Sequence, residues 1–414
     1  MIGFAPILAL IQAFTTGRQT AAQQTGQVTD RINKAVEELG ADKHVCRQTK
    51  NSKGMLVYQN DTAGNPDPKK PILKEKTEPN IEVRTRAIYA LDHIAAKNLS
   101  FHIQIMEILC AYIRHNSSVL LASNDPKNLT KPREDIQTAL TVLGRRSESQ
   151  IAVERAVKTP DCQGHRLDLR ATCLQAVDLT KLNFGLARFE NAKFQGAKFG
   201  GANLQGANFE DANLQGAHLW HANLHEAKLA DARLQGAHLE STNLQGAILW
   251  GAKLQGANLG KANLQEATLW GANLERADLG GANLQEATLC EAKLQGADFG
   301  GANLQGAYLS DTKLQGANLG DANLQGADLR DAKIDDTTSL KPATLRGAGL
   351  REVDFTHITN PALLAEAFGD ASVTLPDGYV TGQGDLAHWS SKELGDDEFH
   401  DQWRAHQKSI GFEP

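Results

Sequence analysis

Aromatic residues make up only 6% of this 414-residue chain, and long hydrophobic runs are missing from it. The most apolar stretch, Ile2 to Phe14, is about 13 residues, short of the roughly 20 that a membrane span needs. No basic residue precedes it, which argues against a secretory signal, so it reads as either the stub of a membrane anchor or a buried helix. The basic stretch that follows suits the cytoplasmic side of a membrane. Cysteine is scarce too: Cys46, Cys110, Cys162, Cys173 and Cys290 form no CxxC pair, and an odd number argues against a disulfide framework and for a reducing compartment. Neither sign of charge dominates, with 43 Lys and Arg against 49 Asp and Glu, which is too balanced for a nucleic-acid binder or an acidic tail. No nucleotide-binding loop, metalloprotease helix, nucleophile elbow or zinc spacing occurs, so the expectation is a protein that is not an enzyme and holds no cofactor.

Charge is unevenly placed. Residues 1–158 carry 22 basic and 16 acidic groups, residues 159–358 carry 18 and 23, and residues 359–414 carry 3 and 10. The middle part is a repeat. From Leu169 to Ile334 every fifth residue is Leu, Phe or Ile, 34 positions in succession. Two residues earlier, 28 of the 30 positions from Ala187 to Ala332 are Ala, the exceptions being Thr242 and Thr312. Five matches neither the 3.6-residue helix nor a long strand of period two, so each pentad is read as a short straight segment and a corner, with Leu and Ala inward.

A longer period sits on top of this one. Asn183, Asn203, Asn223, Asn243, Asn263, Asn283, Asn303 and Asn323 recur every twenty residues, whereas the positions midway between hold mostly Lys or Arg. Twenty residues are four pentads, which predicts a square coil that stacks residues twenty apart at the strand spacing of about 4.8 Å. The 34 pentads make 8.5 coils. One extra residue after Ile334 shifts the phase, and Leu340, Leu345, Leu350 and Phe355 add a further coil, about nine in all.

Ala202 to Gly206 (Ala-Asn-Leu-Gln-Gly) and Ala327 to Asp331 (Ala-Asp-Leu-Arg-Asp) resemble the units of pentapeptide-repeat proteins. That resemblance implies a mainly β fold, a right-handed quadrilateral β-helix. The flanks resemble members in which a helical region, in some behind a membrane anchor, precedes the repeats. The likeness rests on Thr29-Asp30-Arg31 with Ala35 to Gly40, on Arg86 to Leu91 and on Thr138 to Arg146. The expected organisation is a hydrophobic segment and linker (1–28), an α-helical domain (29–158), the β-helix (159–358) and a carboxy-terminal cap with short helices (359–414).

Helical spacing appears near residues 29–39, 83–98, 100–115 and 133–157, and the Pro- and Lys-rich segment from Asn60 to Asn80 reads as an exposed loop. Beyond Phe355, helices are expected over Pro361 to Phe368 and Asp396 to Gln407, with Trp389 and Trp403 available to cover apolar surface. Both flanks are expected to cap the open ends of the coil, whose unpaired edges invite aggregation.

Three features of the rod are candidates for function. His218 and His238 stand one coil apart with His221 and His225 nearby, a weak candidate for a metal such as Zn²⁺, the alternative being solvated histidines with no metal. The column from Lys193 to Lys333 is read as a solvated face, like the acidic residues Asp211, Asp231, Glu291, Asp311 and Asp331 on another edge. Stacked Asn and Gln, including Gln245, Gln265, Gln285, Gln305 and Gln325, are expected to form amide ladders. One side breaks the polar rule: Ile248, Trp250, Thr268, Trp270, Thr288, Cys290 and Tyr308 face outward on consecutive coils, opposite Gly260, Gly280, Gly300 and Gly320. Contiguous exposed aromatic surface marks a contact site, for a protein partner or for the chain's own termini.

These readings predict a non-enzymatic scaffold for protein–protein interaction, cytoplasmic or at the inner face of the plasma membrane, with contact through residues 2–14 and no direct nucleic-acid binding. The family resemblance supplies an alternative, a DNA-mimicking modulator of DNA gyrase of the quinolone-resistance type. That role needs a pronounced acidic rod, and this one carries a basic column.

Overall fold

The computed structural model describes residues 24–50, 55–60, 65–117, 129, 131–159, 162–358 and 360–412. Residues 2–14 lie outside this set, and no helix among the described residues is long and apolar enough to cross a membrane.

The amino-terminal region is built on α1 (Gln24–Leu39), α2 (Ile81–Lys97), α3 (His102–Asn116), α4 (Glu134–Gly144) and α5 (Glu148–Ala156). Ile32, Val36, Ile88, Leu91, Leu109 and Leu140 recur at helical spacing and bury the faces along which these helices meet. The stretch 133–157, expected as one helix, is two. Ser147 starts the second with a capping box, its side chain accepting from the Gln150 N–H while Gln150 accepts from the Ser147 N–H at 2.8 Å. The segment expected as a loop between Asn60 and Asn80 also needs correcting. With the residues before it, it forms β1 (Asp42–Gln48), β2 (Tyr58–Asn60), β3 (Pro66–Pro71) and β4 (Leu73–Pro79), paired as two antiparallel ribbons, β1 with β4 and β2 with β3. These ribbons are held by their ladders and by ion pairs such as Arg47–Glu78 at 2.7 Å, so they bury no apolar face and leave no alternation to read. Pro66, Pro71 and Pro79 stand at strand ends, where a missing N–H costs the ladder least.

The repeats form a parallel β-solenoid. Asp168 bridges Arg188, Cys173 bridges Lys193, Asp178 bridges Lys198 and Asn183 bridges Asn203, and the same four pairings climb the rod in steps of twenty residues. From Phe184 to Leu324 the Leu or Phe and the Ala of every pentad are at most 1% exposed, with Thr242 and Thr312 buried in two of the Ala places. Both threonines satisfy their hydroxyls on backbone carbonyls, Leu219 at 2.9 Å and Leu309 at 2.6 Å. Each corner turns at the second residue after the Leu, which takes a left-handed conformation: φ is +64° at Gly201 and +59° at Asp311. Glycine adopts that angle without strain, which is why it fills so many corners. Near the start of the rod Phe184, Phe189, Phe194 and Phe199 fill one coil with aromatic rings, Phe189 and Phe194 edge to face at 5.1 Å and Phe209 of the next coil stacked on Phe189 at 4.9 Å.

The extra residue after Ile334 is absorbed in a turn where the Asp335 carboxylate accepts from the Thr337 N–H, at 3.1 Å, and from Gly316 N–H of the coil before, also at 3.1 Å. Pairing then resumes at a step of 21, Asn318 with Ser339 and Asn323 with Thr344. It continues through Gly349–Leu350 against Phe368–Gly369 and ends with Asp354 against Thr374. The helix expected over Pro361 to Phe368 is therefore a short 3-10 turn, Pro361–Leu364, because the chain must straighten to lay Phe368–Gly369 along the coil before it. The helix expected from Asp396 is present as α6 (Asp396–Ser409).

Both ends of the solenoid are covered. In the body of the rod the N–H of the residue before each Leu or Phe is taken by the coil before it, as Asn203 N–H is by the Leu182 carbonyl at 2.9 Å, while the N–H of the Leu or Phe itself goes to the coil after. The first coil has no such neighbour, and the helical region substitutes for one. The Ser117 carbonyl accepts from Cys173 N–H, the Gln137 side-chain oxygen from Asp178 N–H at 3.0 Å, and the Gly144 carbonyl from Asn183 N–H at 2.9 Å. At the far end the Trp389 indole donates to the Ala367 carbonyl and that of Trp403 to the Gly347 carbonyl, both at 2.8 Å. Apolar residues from Ile32 in α1 to Trp389 form one continuous buried core, so the helical region and the rod share an interior.

Candidate interaction surface

Alternation along each pentad puts Ile248, Thr268, Thr288 and Tyr308 in one outward column, bridged in succession, and Trp250, Trp270, Cys290 and Ser310 in a second column beside it. The second column is set by its own ladder: Asp231 N–H donates to the Trp250 carbonyl at 2.8 Å and Gly251 N–H to the Trp270 carbonyl at 3.0 Å. The structure thus brings the seven predicted residues onto one face. Trp250 is 59% exposed, Trp270 49%, Tyr308 48% and Ile248 40%, while Thr268, Thr288 and Cys290 are half-buried between them. The Cys290 sulfur accepts from the Ser310 hydroxyl at 3.2 Å.

Each end of this face is polar and internally paired. Before the ridge Arg188 pairs with Glu190 at 3.2 Å, and after it Arg330 pairs with Asp328 at 2.8 Å. Beyond that pair the carboxy-terminal region takes over the same side of the rod. Trp403 of α6 lies on Gly349 and Phe412 on Gly326, where a Cβ would collide with either ring. Among the described residues nothing covers the ridge itself: Phe412, just past α6, reaches Gly326 in the coil beyond Tyr308.

The other candidates resolve differently. The His218 and His238 rings stack in parallel, centroids 4.7 Å apart and planes within 1°. Lone pairs in two such rings run side by side instead of converging on one ion, and no group of three or more His, Cys, Asp and Glu suited to a metal is found among the described residues. Partial burial lowers the His218 pKa, and the neighbouring His238 and Lys198 lower it further. Trp220, outward on that side, lies over the bare backbone of Gly200 one coil earlier. The basic column is exposed at Arg233, Lys253, Lys293, Lys313 and Lys333.

The asparagine column is a ladder throughout. Each amide N–H donates to the Asn one coil before, from Asn203 to Asn183 at 3.1 Å up to Asn323 to Asn303 at 3.1 Å, and from Asn203 to Asn323 each side-chain oxygen also accepts from the N–H two residues on. The glutamine column is not. Gln265 and Gln285 turn sideways and donate to Glu266 at 3.2 Å and Glu286 at 3.1 Å, the longer side chain reaching the adjacent residue of its own corner instead of the next coil. A second feature escaped sequence reasoning, the buried cluster at the junction with the helical region. Glu154 accepts from His102 at 2.7 Å and from Arg146 at 2.8 Å, and Arg146 also donates to the Asn183 carbonyl of the rod at 2.8 Å. Residues that far apart in sequence carry no local signal of their meeting.

The family model described as pentapeptide repeats matches in eight copies, over residues 172–211, 207–246, 232–271, 242–281, 271–306 and 302–338. No curated protein matches the chain. Among solved structures, the chain is 34% identical to HetL, a pentapeptide repeat protein involved in heterocyst differentiation regulation from the cyanobacterium Nostoc sp. strain PCC 7120. The match covers 51% of this chain and 90% of HetL, with a TM-score of 0.41. It is 22% identical to a pentapeptide repeat protein of the Arabidopsis thaliana thylakoid lumen, over 34% of this chain and 78% of that one, TM-score 0.17. It is 16% identical to full-length QnrB1, a plasmid-mediated fluoroquinolone resistance protein, over 59% of this chain and all of the other (100%), TM-score 0.25. The stretch matched by the family model is the stretch that pairs every twenty residues, and the chain belongs to the pentapeptide repeat family.

Proposed function

We infer that this protein is a non-enzymatic interaction scaffold: a right-handed, four-sided coil of about nine turns, capped at both ends, that offers a preformed face to a protein partner. The observation that carries this reading is the pair Trp250 and Trp270, 59% and 49% exposed on a backbone locked by ladder bonds. Covering two half-exposed tryptophans removes on the order of 200 Å² of apolar surface from water, about 5 kcal/mol at 25 cal/mol per Å². A rigid face loses little conformational entropy on binding, so most of that energy is available for affinity. The site of action in this reading is the cytoplasm or the inner face of the plasma membrane. The alternative reading as a DNA-mimicking modulator of DNA gyrase fits poorly, because exposed Arg233, Lys253, Lys293, Lys313 and Lys333 would face the surface that such mimicry needs acidic.

The test is retention of partners from native cell fractions by the wild type and by Trp250→Ser, Trp270→Ser. Outward positions carry no core packing, so the variant keeps the melting temperature within about 2 °C. A partner held by the wild type is lost. Recovery of the same partners by both proteins refutes the reading.

A further inference from the structure

The ridge has a border whose charge is of one sign. Along one corner stand Glu226, Glu266 and Glu286, and along the other Asp231, Glu291 and Asp311, all exposed. From Ile248 to Tyr308 neither the face nor these two corners carries a Lys or Arg. Several carboxylates are also aimed. Asp231 leans over Gly251 beside Trp250, its Oδ1 within 2.7 Å of where a Cβ on that glycine would lie, and the Cγ of Glu286 lies 3.5 Å from the equivalent point over Gly306 beside Tyr308. Gln265 and Gln285 hold Glu266 and Glu286 by hydrogen bonds. Among the described residues none of Asp231, Glu266, Glu286, Glu291 and Asp311 forms an ion pair.

We propose that this ridge docks a short basic segment of a partner protein, with Lys or Arg side chains lying over Trp250 and Trp270 between the two rows of carboxylates. The inference rests on the scaffold reading and specifies the partner's chemistry. An indole face attracts a cation, and a carboxylate beside it strengthens the attraction. The covered part of the same side shows the complementary arrangement within the chain: where α6 lies, the rod contributes Arg351 and the helix contributes Asp396. Where the ridge is bare, the rod contributes acids, so the occupant contributes bases. A second copy of this chain would set the same carboxylates against each other and is disfavoured by like-charge repulsion. Size points the same way. Three coil steps span about 14 Å, the length of four or five extended residues, and the roughly 200 Å² of apolar surface on the two tryptophans is far below the roughly 800 Å² per partner of a stable globular interface.

The experiment selects twelve-residue peptides from a displayed random library on the full chain, then measures the selected peptides by fluorescence anisotropy. The expected result is an excess of Lys and Arg together with aromatic or aliphatic residues. Trp250→Ser, Trp270→Ser weakens binding roughly tenfold, and Glu266→Gln, Glu286→Gln, Glu291→Gln roughly fivefold with a shallower salt dependence. Asp278→Asn, Asp298→Asn on the opposite face serves as the control and leaves binding unchanged. Equal loss in that control means that the net charge of the rod attracts the peptides, and it overturns the proposal. Selected peptides that need the tryptophans but are neutral or acidic overturn it while leaving the scaffold reading intact. Peptides indifferent to the tryptophans overturn both, and a dimer that dissociates in the tryptophan variant replaces the basic segment with a second copy.

Discussion

Asn263 makes three hydrogen bonds through one amide. Its N–H donates to Asn243 at 3.3 Å, and its oxygen accepts from Asn283 at 3.2 Å and from the Gln265 N–H at 3.3 Å. In Asn263→Asp the carboxylate keeps both acceptor roles but sets an oxygen against the Asn243 oxygen, a cost of about 1 kcal/mol. Asn263→Leu removes all three bonds and costs about 2–3 kcal/mol. Shifts of the guanidinium midpoint give both values, and the order Asp before Leu is the check. The ladder was legible in the sequence because asparagine recurs at one place in every coil, and its short side chain reaches only the coil before and its own turn. Glutamine recurs nearly as well, yet one more methylene lets Gln265 reach Glu266, so recurrence alone did not decide its partner.

At the scale of elements the junction between α4, α5 and the first coil is the sensitive place. Gly144 ends α4 so close to Leu182 that a Cβ would lie 2.6 Å from the leucine's own Cβ. Gly144→Val wedges the helical region away from the rod. A loss of about 2–3 kcal/mol is expected, with faster amide exchange at Cys173, Asp178 and Asn183, whose N–H groups the helical region satisfies. The same junction carries a pH dependence. Burial pushes the His165 imidazole below its ordinary 6.5 against the opposing attraction of Glu154. Burial also opposes the Glu154 charge, but the hydrogen bond from His102 and the charge of Arg146 prevail and hold that carboxyl below its ordinary 4.5. Both groups bind protons more readily unfolded than folded, so each contributes stability at neutral pH that is lost in acid. For His165 the loss begins below about 6.5 and for Glu154 below about 4.5. Denaturation followed from pH 7.5 to 4 shows stability falling, and His165→Gln reduces the upper part of that fall, to which His218 and His406, also lowered by burial, still contribute. Sequence spacing placed the helices here, and the Ser147–Gln150 box that starts the second is a local signal, but the need for glycine at 144 comes from Leu182, 38 residues away and in another kind of structure.

For the whole molecule the relevant unit is the coil. Deleting residues 272–291 joins Gly271 to Ala292 with every column in register and is expected to give a shorter rod with a cooperative melt. Deleting residues 272–276 keeps the Leu and Ala period but turns everything that follows by one face. Asn263 then stacks on Thr288, the tryptophans part from Tyr308, and the lost ladder bonds lower stability by about 2 kcal/mol relative to an uninterrupted rod. Thermal melts of the two deletions distinguish a true period of twenty from a period of five, the first expecting the larger deletion to be the milder. The ridge belongs to this scale as well. Trp250 and Trp270 are twenty residues apart and neighbours in space only because the coil closes in four pentads.

The repeat by itself determined the solenoid, its coil length and the side on which each outward residue stands, because every pentad poses the same local problem and Leu, Ala and a corner residue solve it alike each time. The seven ridge residues were found in this way. Tertiary structure decided what periodicity does not encode. It showed that the helical region supplies the missing ladder partners of the first coil, that a polar segment with four prolines pairs as ribbons, and that α6 stops short of the ridge. Each of these depends on contacts between segments of unlike sequence, whose energies come from shape and unsatisfied backbone groups that become defined only when the coil has an end.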